Sequence, residues 1–196
     1  MSTSEKKALD NLPLIKRKRT VATSRLFKIQ ELDLQFSNGH EAKFERLTGG
    51  ILHPGETSGV LVVPVTSDDE ILLIREYAAG LERYELGFVR GRIEEDELPQ
   101  SAAAREMQEE IGLNAREFCH LATISLAPAY SQHRTYIYSA SDLYESHLEG
   151  DEPEPIEQLT WKLSDIDQLR RRDDFTAATS VLATYLVCQE FSATDG

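Results

Sequence analysis

The chain is short of the residues that secreted, membrane-embedded and nucleic-acid-binding proteins rely on. It has only two cysteines, Cys119 and Cys188, far apart and without partners at metal-ligand spacing, which excludes a disulfide framework and a cysteine-based zinc site. No apolar run approaches the roughly 20 residues that span a bilayer, and the first thirty residues carry no signal-peptide apolar stretch. A reducing cytoplasm, with no membrane contact, is the expected setting. Basic residues are also scarce. Twenty-one Lys and Arg stand against 34 Asp and Glu, and the net charge of −13 argues against nucleic acid as a partner. The densest basic cluster, Lys16-Arg17-Lys18-Arg19, lies near the start, and residues 1–22 are expected to form a flexible, solvated tail.

What is present fits one globular domain with an accessory element: 196 residues, 40% of them hydrophobic. Residues 26–36 alternate, with Leu32, Leu34 and Phe36 on one side and Glu31, Asp33 and Gln35 on the other. Ser37-Asn38-Gly39 reads as a tight turn, and residues 40–47 return as a second strand. Residues 23–50 are therefore expected to be an N-terminal β-hairpin, followed by a glycine- and proline-containing loop over 48–58. Residues 51–196 are expected to form the main domain. Its β-branched runs at 60–65 and 71–74 predict buried strands of a mixed sheet. Further strands are expected at 84–88, 118–126, 134–140 and 158–163, and an amphipathic helix over 175–191. Strands in front, one helix in the middle and one at the end describe an α/β sandwich.

The chemistry is concentrated in residues 91–113, GRIEEDELPQSAAAREMQEEIGL. Pro99 suits a first helical turn, the Ala-rich run 101–104 favours helix, and Gly112 fits a left-handed cap. Glu106 and Glu110 stand four residues apart, on one helix face, and Glu109 lies one turn from Glu106. Ala104, Met107 and Ile111 are read as the opposite stripe, anchoring the helix to the sheet. Like charges at this spacing destabilise an isolated helix by a few tenths of a kcal/mol per pair. Carboxylates held rigidly in this way form a site for a hard cation such as Mg²⁺, which takes oxygen ligands and retains waters. Two such ions can clamp the attacking and leaving oxygens of a phosphoryl displacement. Arg105 is read as pointing to a different face, better placed to brace Glu97 or the loop than to bind metal. A lone Glu-Glu pair would be ordinary solvated surface. The full spacing is different: Gly91, five residues, Glu97, seven residues, Arg105-Glu106, Met107, one residue, Glu109-Glu110, one residue, Gly112-Leu113. Its seven fixed identities would recur by chance about once in 10⁸ starts.

This pattern resembles the Nudix box at every position. The resemblance implies an α/β/α sandwich with a mixed sheet, here with an N-terminal β-hairpin extension. It also implies hydrolysis of a nucleoside diphosphate linked to another moiety, with Mg²⁺ or Mn²⁺ and more than one ion per site. By matching positions, Glu106, Glu109 and Glu110 are implied as metal ligands, with the backbone carbonyl of Arg90 as another. Glu109 stands among the implied catalytic residues as well. Gly91, Glu97, Arg105 and Gly112 hold the box together. Beyond it, SRLFKIQELDLQFSNG, LIREYAAGLERYELGF, SLAPAYSQH and LEGDEPEPI look like the ADP compounds hydrolase (NudE-type) subgroup, related to ADP-ribose diphosphatases. That subgroup acts on ADP-ribose, NADH and diadenosine polyphosphates, releasing AMP. In the related enzymes an acidic loop supplies the base, and Asp151-Glu152-Pro153-Glu154 matches it, with Glu152 favoured as the base and Glu154 as its support or a metal ligand. A carboxylate of ordinary pKa near ~4.3 is a weak base, but it suffices toward a water acidified by a cation. The subgroup implies substrate contacts at Arg75 and Glu85. Arg75 has a guanidinium suited to bidentate phosphate binding. Arg46 is a further phosphate candidate, and Tyr130 either stacks on adenine or packs. The hairpin implies a homodimer.

The box is shared by hydrolases of sugar nucleotides and damaged nucleotides, so it does not separate those substrates from ADP compounds. A non-catalytic nucleotide sensor is disfavoured because every box carboxylate is present. A calcium-binding protein is disfavoured because the alternating Asp/Asn loop of a calcium hand is missing.

Overall fold

The computed structural model describes residues 12–49, 58–150 and 152–194, and it divides into two units. The first 11 residues, most of the expected 48–58 loop and Asp151 lie outside the described residues.

The first unit comprises the N-terminal residues together with Ala127–His133. It holds a three-stranded antiparallel sheet in the order β1(Leu14–Thr23), β2(Phe27–Gln35), β3(Glu41–Gly49). The β2–β3 hairpin turns where expected: Gly39 takes φ +83°, and the Asn38 side chain accepts the His40 N–H at 3.0 Å. The tail reading of residues 1–22 needs correction from Leu14 onward, because Leu14–Thr23 pairs with β2 along its length. Its residues are exposed throughout, so no buried apolar face announces the strand. Charge complementarity ties it in place instead: Arg19 bonds Glu31 at 2.9 Å and Lys16 pairs with Glu41. A basic run that reads as solvated is here the outer strand of an acidic hairpin.

The second unit comprises Ser58–Leu126 and the residues from Arg134 onward. Strand β4(Ser58–Pro64) organises it, running parallel to β9(Arg134–Glu145) and antiparallel to β7(Val89–Arg92), in a sheet ordered β7-β4-β9-β8. A second sheet has the order β10(Glu157–Lys162), β5(Glu70–Ala78), β6(Arg83–Gly87). Strand β8 covers Leu113–Ile124. The uninterrupted apolar run of β4 follows from burial on both faces. Leu61 and Val63 enter one core cluster with Phe88, Ile137, Ala183 and Val187, while Val60 and Val62 enter another with Ala102, Ala103 and Met107. Each face is covered by a different helix: α3(Ala178–Thr194) on the first and α1(Pro99–Glu110) on the second. This is the expected mixed α/β sandwich.

Toward the end of the chain two details differ from the sequence reading. The C-terminal helix starts at Ala178 rather than 175, because Phe175 inserts edge-on against Phe88 and both the N–H and hydroxyl of Thr176 bind Glu85. A short helix α2(Ile166–Leu169) precedes it and is too brief to show a period.

Candidate active site

Helix α1 begins at Pro99 without a side-chain cap and ends at Glu110, two residues before Gly112, whose φ of +69° glycine adopts without strain. Its buried stripe is Ala102, Ala103, Met107 and Ile111; Ala104, expected in that stripe, is only half buried. Four-residue spacing from Met107 back to Ala103 accounts for the change. Full burial of Met107 contributes about 1.5–3 kcal/mol, more than the like-charge repulsion among the glutamates on the same helix. Packing therefore holds the acidic face in place.

Arg105 is the hub of the box. Its guanidinium donates to Glu97 Oε1 at 2.9 Å and Oε2 at 3.1 Å, to the Arg92 carbonyl at 2.8 Å, to Glu106 at 2.8 Å and to Glu109 at 2.9 Å. Glu97 in turn accepts the Glu94 N–H at 3.0 Å, closing the loop between β7 and α1. The Arg105 hydrogen bonds are the largest influence holding the Glu97 carboxyl below the usual range, and the Arg105 guanidinium holds its own proton more tightly than usual. Gly91 serves Glu106. A Cβ there would lie 1.9 Å from the Glu106 carboxylate, so the carboxylate rests directly on the glycine backbone.

Glu110 is only 8% exposed and accepts the Arg90 N–H at 3.4 Å. Burial first, then the charges of Glu76, Glu106 and Glu152, push its carboxyl up to about 9. Burial also raises Glu106. Carboxylate oxygens of Glu76, Glu110 and Glu152 all lie within 4.8 Å of one another. Beside them opens a cleft of about 330 Å³, lined by Glu109 and Glu110 and by Gly150, Glu152, Glu154 and Ile156 of the acidic loop. The donor set is all oxygen, crowded and strongly acidic, and it fits one or more hard divalent cations. Sequence reasoning brought Glu106, Glu109, Glu110, Arg90, Glu152 and Glu154 to this place. It missed Glu76, which lies 34 residues upstream of Glu110 on β5. A period-2 signal was available, since Glu76 follows Ile74 on the strand face that packs toward α1.

The acidic loop is braced from the β6 side: Tyr84 donates its hydroxyl to Glu154 at 2.8 Å. That hydrogen bond is the chief reason its phenol sits above the usual value. Arg75 lies over the Tyr84 ring at 5.2 Å and pairs with Glu157 at 3.1 Å, leaving it about half exposed. Glu85, expected at the substrate, is buried instead. It accepts from Arg83 Nε at 2.6 Å and from the Thr176 N–H and hydroxyl at 3.1 and 2.8 Å. Burial raises its carboxyl, but the Thr176 and Arg83 hydrogen bonds outweigh it and leave the group below its ordinary value. Its visible part is to fasten β6 to the start of α3. Arg46 and Tyr130 belong to the first unit and are neighbours there. Arg46 bonds Gln30 at 3.0 Å, the Leu47 N–H donates to the Tyr130 carbonyl at 2.7 Å, and the Tyr130 ring is exposed.

Comparison with known proteins agrees with this layout. Residues 55–182 match the NUDIX domain and residues 13–46 match the NudE-type Nudix hydrolase N-terminal domain, a segment that covers β1 and β2 and runs into β3. The chain is 43% identical to the ADP compounds hydrolase NudE of Escherichia coli (strain K12), over 89% of this chain and 91% of that one. It is 27% identical to the ADP-ribose pyrophosphatase of Bacillus subtilis (strain 168), over 88% of this chain and 94% of that one. A crystal structure of an ADP compounds hydrolase superposes with a TM-score of 0.84 at 42% identity, covering 93% of this chain and 95% of that one.

Proposed function

Since the chain belongs to the Nudix hydrolase family, we propose that it hydrolyses the diphosphate linkage of ADP-containing compounds (ADP-ribose, NADH and diadenosine polyphosphates) and releases AMP. The observation that carries the chemistry is the meeting of carboxylates from β5, α1 and the acidic loop beside one cleft. The likeness of both units to the ADP compounds hydrolase, at 43% identity, supports the substrate class.

Glu106, Glu109, Glu110 and the Arg90 carbonyl would hold Mg²⁺ or Mn²⁺. Such cations offset the charge of a bound diphosphate and acidify water. Glu152, on an exposed loop stiffened by Pro153 and Pro155, takes the proton of the attacking water as its oxygen joins phosphorus. The P–O bond of the diphosphate bridge breaks, and the leaving phosphate departs with those electrons. Glu154, held by Tyr84, sets where that loop lies. Arg75 is the phosphate contact on β5, and on the first unit Arg46 would add a phosphate contact and Tyr130 a ring to stack on adenine.

The exposed apolar side chains Leu14, Phe27 and Phe44 of the first unit support a homodimer, which solution mass tests directly. The side chains of Cys119 and Cys188 are thiols, not a disulfide, which supports a cytoplasmic setting, and among the described residues no helix is long and apolar enough to cross a membrane. The function is tested with a panel of ADP-ribose, NADH, diadenosine triphosphate, GDP-mannose and nucleoside triphosphates in Mg²⁺, with products identified. AMP from the first three is the expected result, and action on nucleoside triphosphates alone would overturn the substrate class.

A further inference from the structure

Strand β5 alternates along the edge of the site. Ile74 packs into the core cluster that includes Met107 of α1, and Glu76 is the next residue on that same strand face. It is therefore aimed along α1 toward Glu110. Its side chain is 19% exposed, and one of its oxygens meets the Arg90 guanidinium at 3.2 Å. Oxygens of Glu76, Glu110 and Glu152 lie within 4.8 Å of one another. Octahedral oxygen ligands about 2.1 Å from Mg²⁺ stand roughly 3 to 4 Å apart, so the three carboxylates need only a small contraction to share one ion. The box carboxylates fall into two groups. Glu106 and Glu109 share Arg105, whereas Glu110 accepts the Arg90 N–H and stands with Glu76 and Glu152.

We propose that Glu76 is a direct ligand of a divalent cation, completing with Glu110 and one oxygen of Glu152 a cation position on the β5 side of the cleft, the other Glu152 oxygen being left to act as the base. The proposal rests on reading the site as cation-dependent. A carboxylate supplied by β5 places this ion between a strand, a helix and a loop, so it fixes the acidic loop as well as charge. Arg90 competes for the same carboxylate through its guanidinium, while its main chain faces Glu110.

Mn²⁺ binding, followed by the loss of the free-ion paramagnetic resonance signal and by calorimetry, tests this without turnover. Glu76→Gln is expected to weaken one class of Mn²⁺ site at least tenfold. Arg90→Met, which removes the ion pair but keeps Glu76 and the residue-90 carbonyl, is expected to bind Mn²⁺ as tightly as the unaltered protein or more so. Equal affinity in Glu76→Gln overturns the ligand assignment and leaves the reading of the site intact. Equal weakening in both variants also overturns it, because Glu76 would then act only by holding Arg90. Absence of Mn²⁺ binding by the unaltered protein overturns the cation reading and this inference together.

Discussion

Replacing Gly91 with alanine should separate folding from catalysis. The added Cβ would lie 1.9 to 2.2 Å from three atoms of the Glu106 carboxyl group. To reach ordinary contact that group must retreat by about 1.5 Å. The obstacle is the end of a flexible side chain, and the backbone at Gly91 has no positive φ, so the fold can accommodate alanine. What is lost is the Arg105–Glu106 hydrogen bond at 2.8 Å, while Arg105 keeps Glu97, Glu109 and the Arg92 carbonyl. Release of a desolvated carboxylate toward water offsets part of that loss. The net change in stability should be about 1 kcal/mol or less, a shift in Tm of no more than about 4 °C for a chain of this size. Catalysis is far less tolerant, since a displacement of about 1 Å in a positioning group costs on the order of 100-fold, equivalent to about 2.7 kcal/mol in the barrier. The assay is AMP release from ADP-ribose in saturating Mg²⁺ beside thermal unfolding of the same preparation. Turnover within threefold of the unaltered protein would refute the seating of Glu106 on Gly91, and a fall in Tm above 10 °C would refute the claim that the clash is confined to its side chain.

Glu110→Gln should abolish turnover while the fold persists. It should also change how stability depends on pH. The folded-state carboxyl is pushed up to about 9 from an ordinary 4.5, chiefly by burial, so the native state binds this proton more tightly than the unfolded chain. The associated stability is complete below pH 4.5 and is lost as pH rises toward 9. In chelator, Tm should therefore fall between pH 5 and 9, excess Mg²⁺ should flatten the slope, and Glu110→Gln should remove most of it; an unchanged slope in that variant refutes the argument. Arg105→Lys keeps the charge but loses the planar fork. With Glu97 and the Arg92 carbonyl poorly served, stability should drop by about 2–3 kcal/mol, read as a Tm lower by roughly 5–10 °C, and an unaltered melt would contradict the hub. For the acidic loop, Glu152→Gln should lower kcat at least tenfold without moving Tm, and a smaller loss removes it as the base. Tyr84→Phe should match the loss seen in Glu154→Gln, and a normal rate for Tyr84→Phe beside a slow Glu154→Gln would show that the hydroxyl does not position the loop.

The box was legible because its identities specify backbone and chemistry together. Pro99 and Gly112 bound the helix, Met107 and Ile111 fix which face is buried, and the glutamates then have only one direction left to face. Strand β4 was legible for a similar reason, its apolar run needing cover on both sides. Strand β1 was not, because its hold on β2 comes from backbone pairing and from Arg19 and Lys16 finding acids on neighbouring strands. That pairing depends on partners far along the chain and leaves no period in the strand itself. The surroundings of Glu85 were hidden for a different reason. A charged residue just before an acidic loop suggests a ligand, yet Thr176, ninety-one residues later, supplies two donors that take it out of solvent.

Glu76 shows why a site can be more acidic than its motif. Helix α1 can carry Glu106, Glu109 and Glu110 because Ala102, Ala103 and Met107 anchor its other face, with a gain from Met107 alone of about 1.5–3 kcal/mol against a few tenths per repelling pair. That margin leaves room for one more carboxylate, but not on the helix, where the exposed face is already committed to Arg105. A strand that already packs against α1 through Ile74 can deliver it two residues later with no change in the core. Glu110, pushed up to about 9, is then strongly disfavoured by its surroundings, where the contributions of helix, strand and loop meet. Without a cation that carboxyl opposes folding as pH rises, and with one bound it becomes a ligand. Activity and stability are therefore expected to part at this residue, glutamine giving a protein that unfolds at higher temperature in chelator at pH 8 and turns over no substrate.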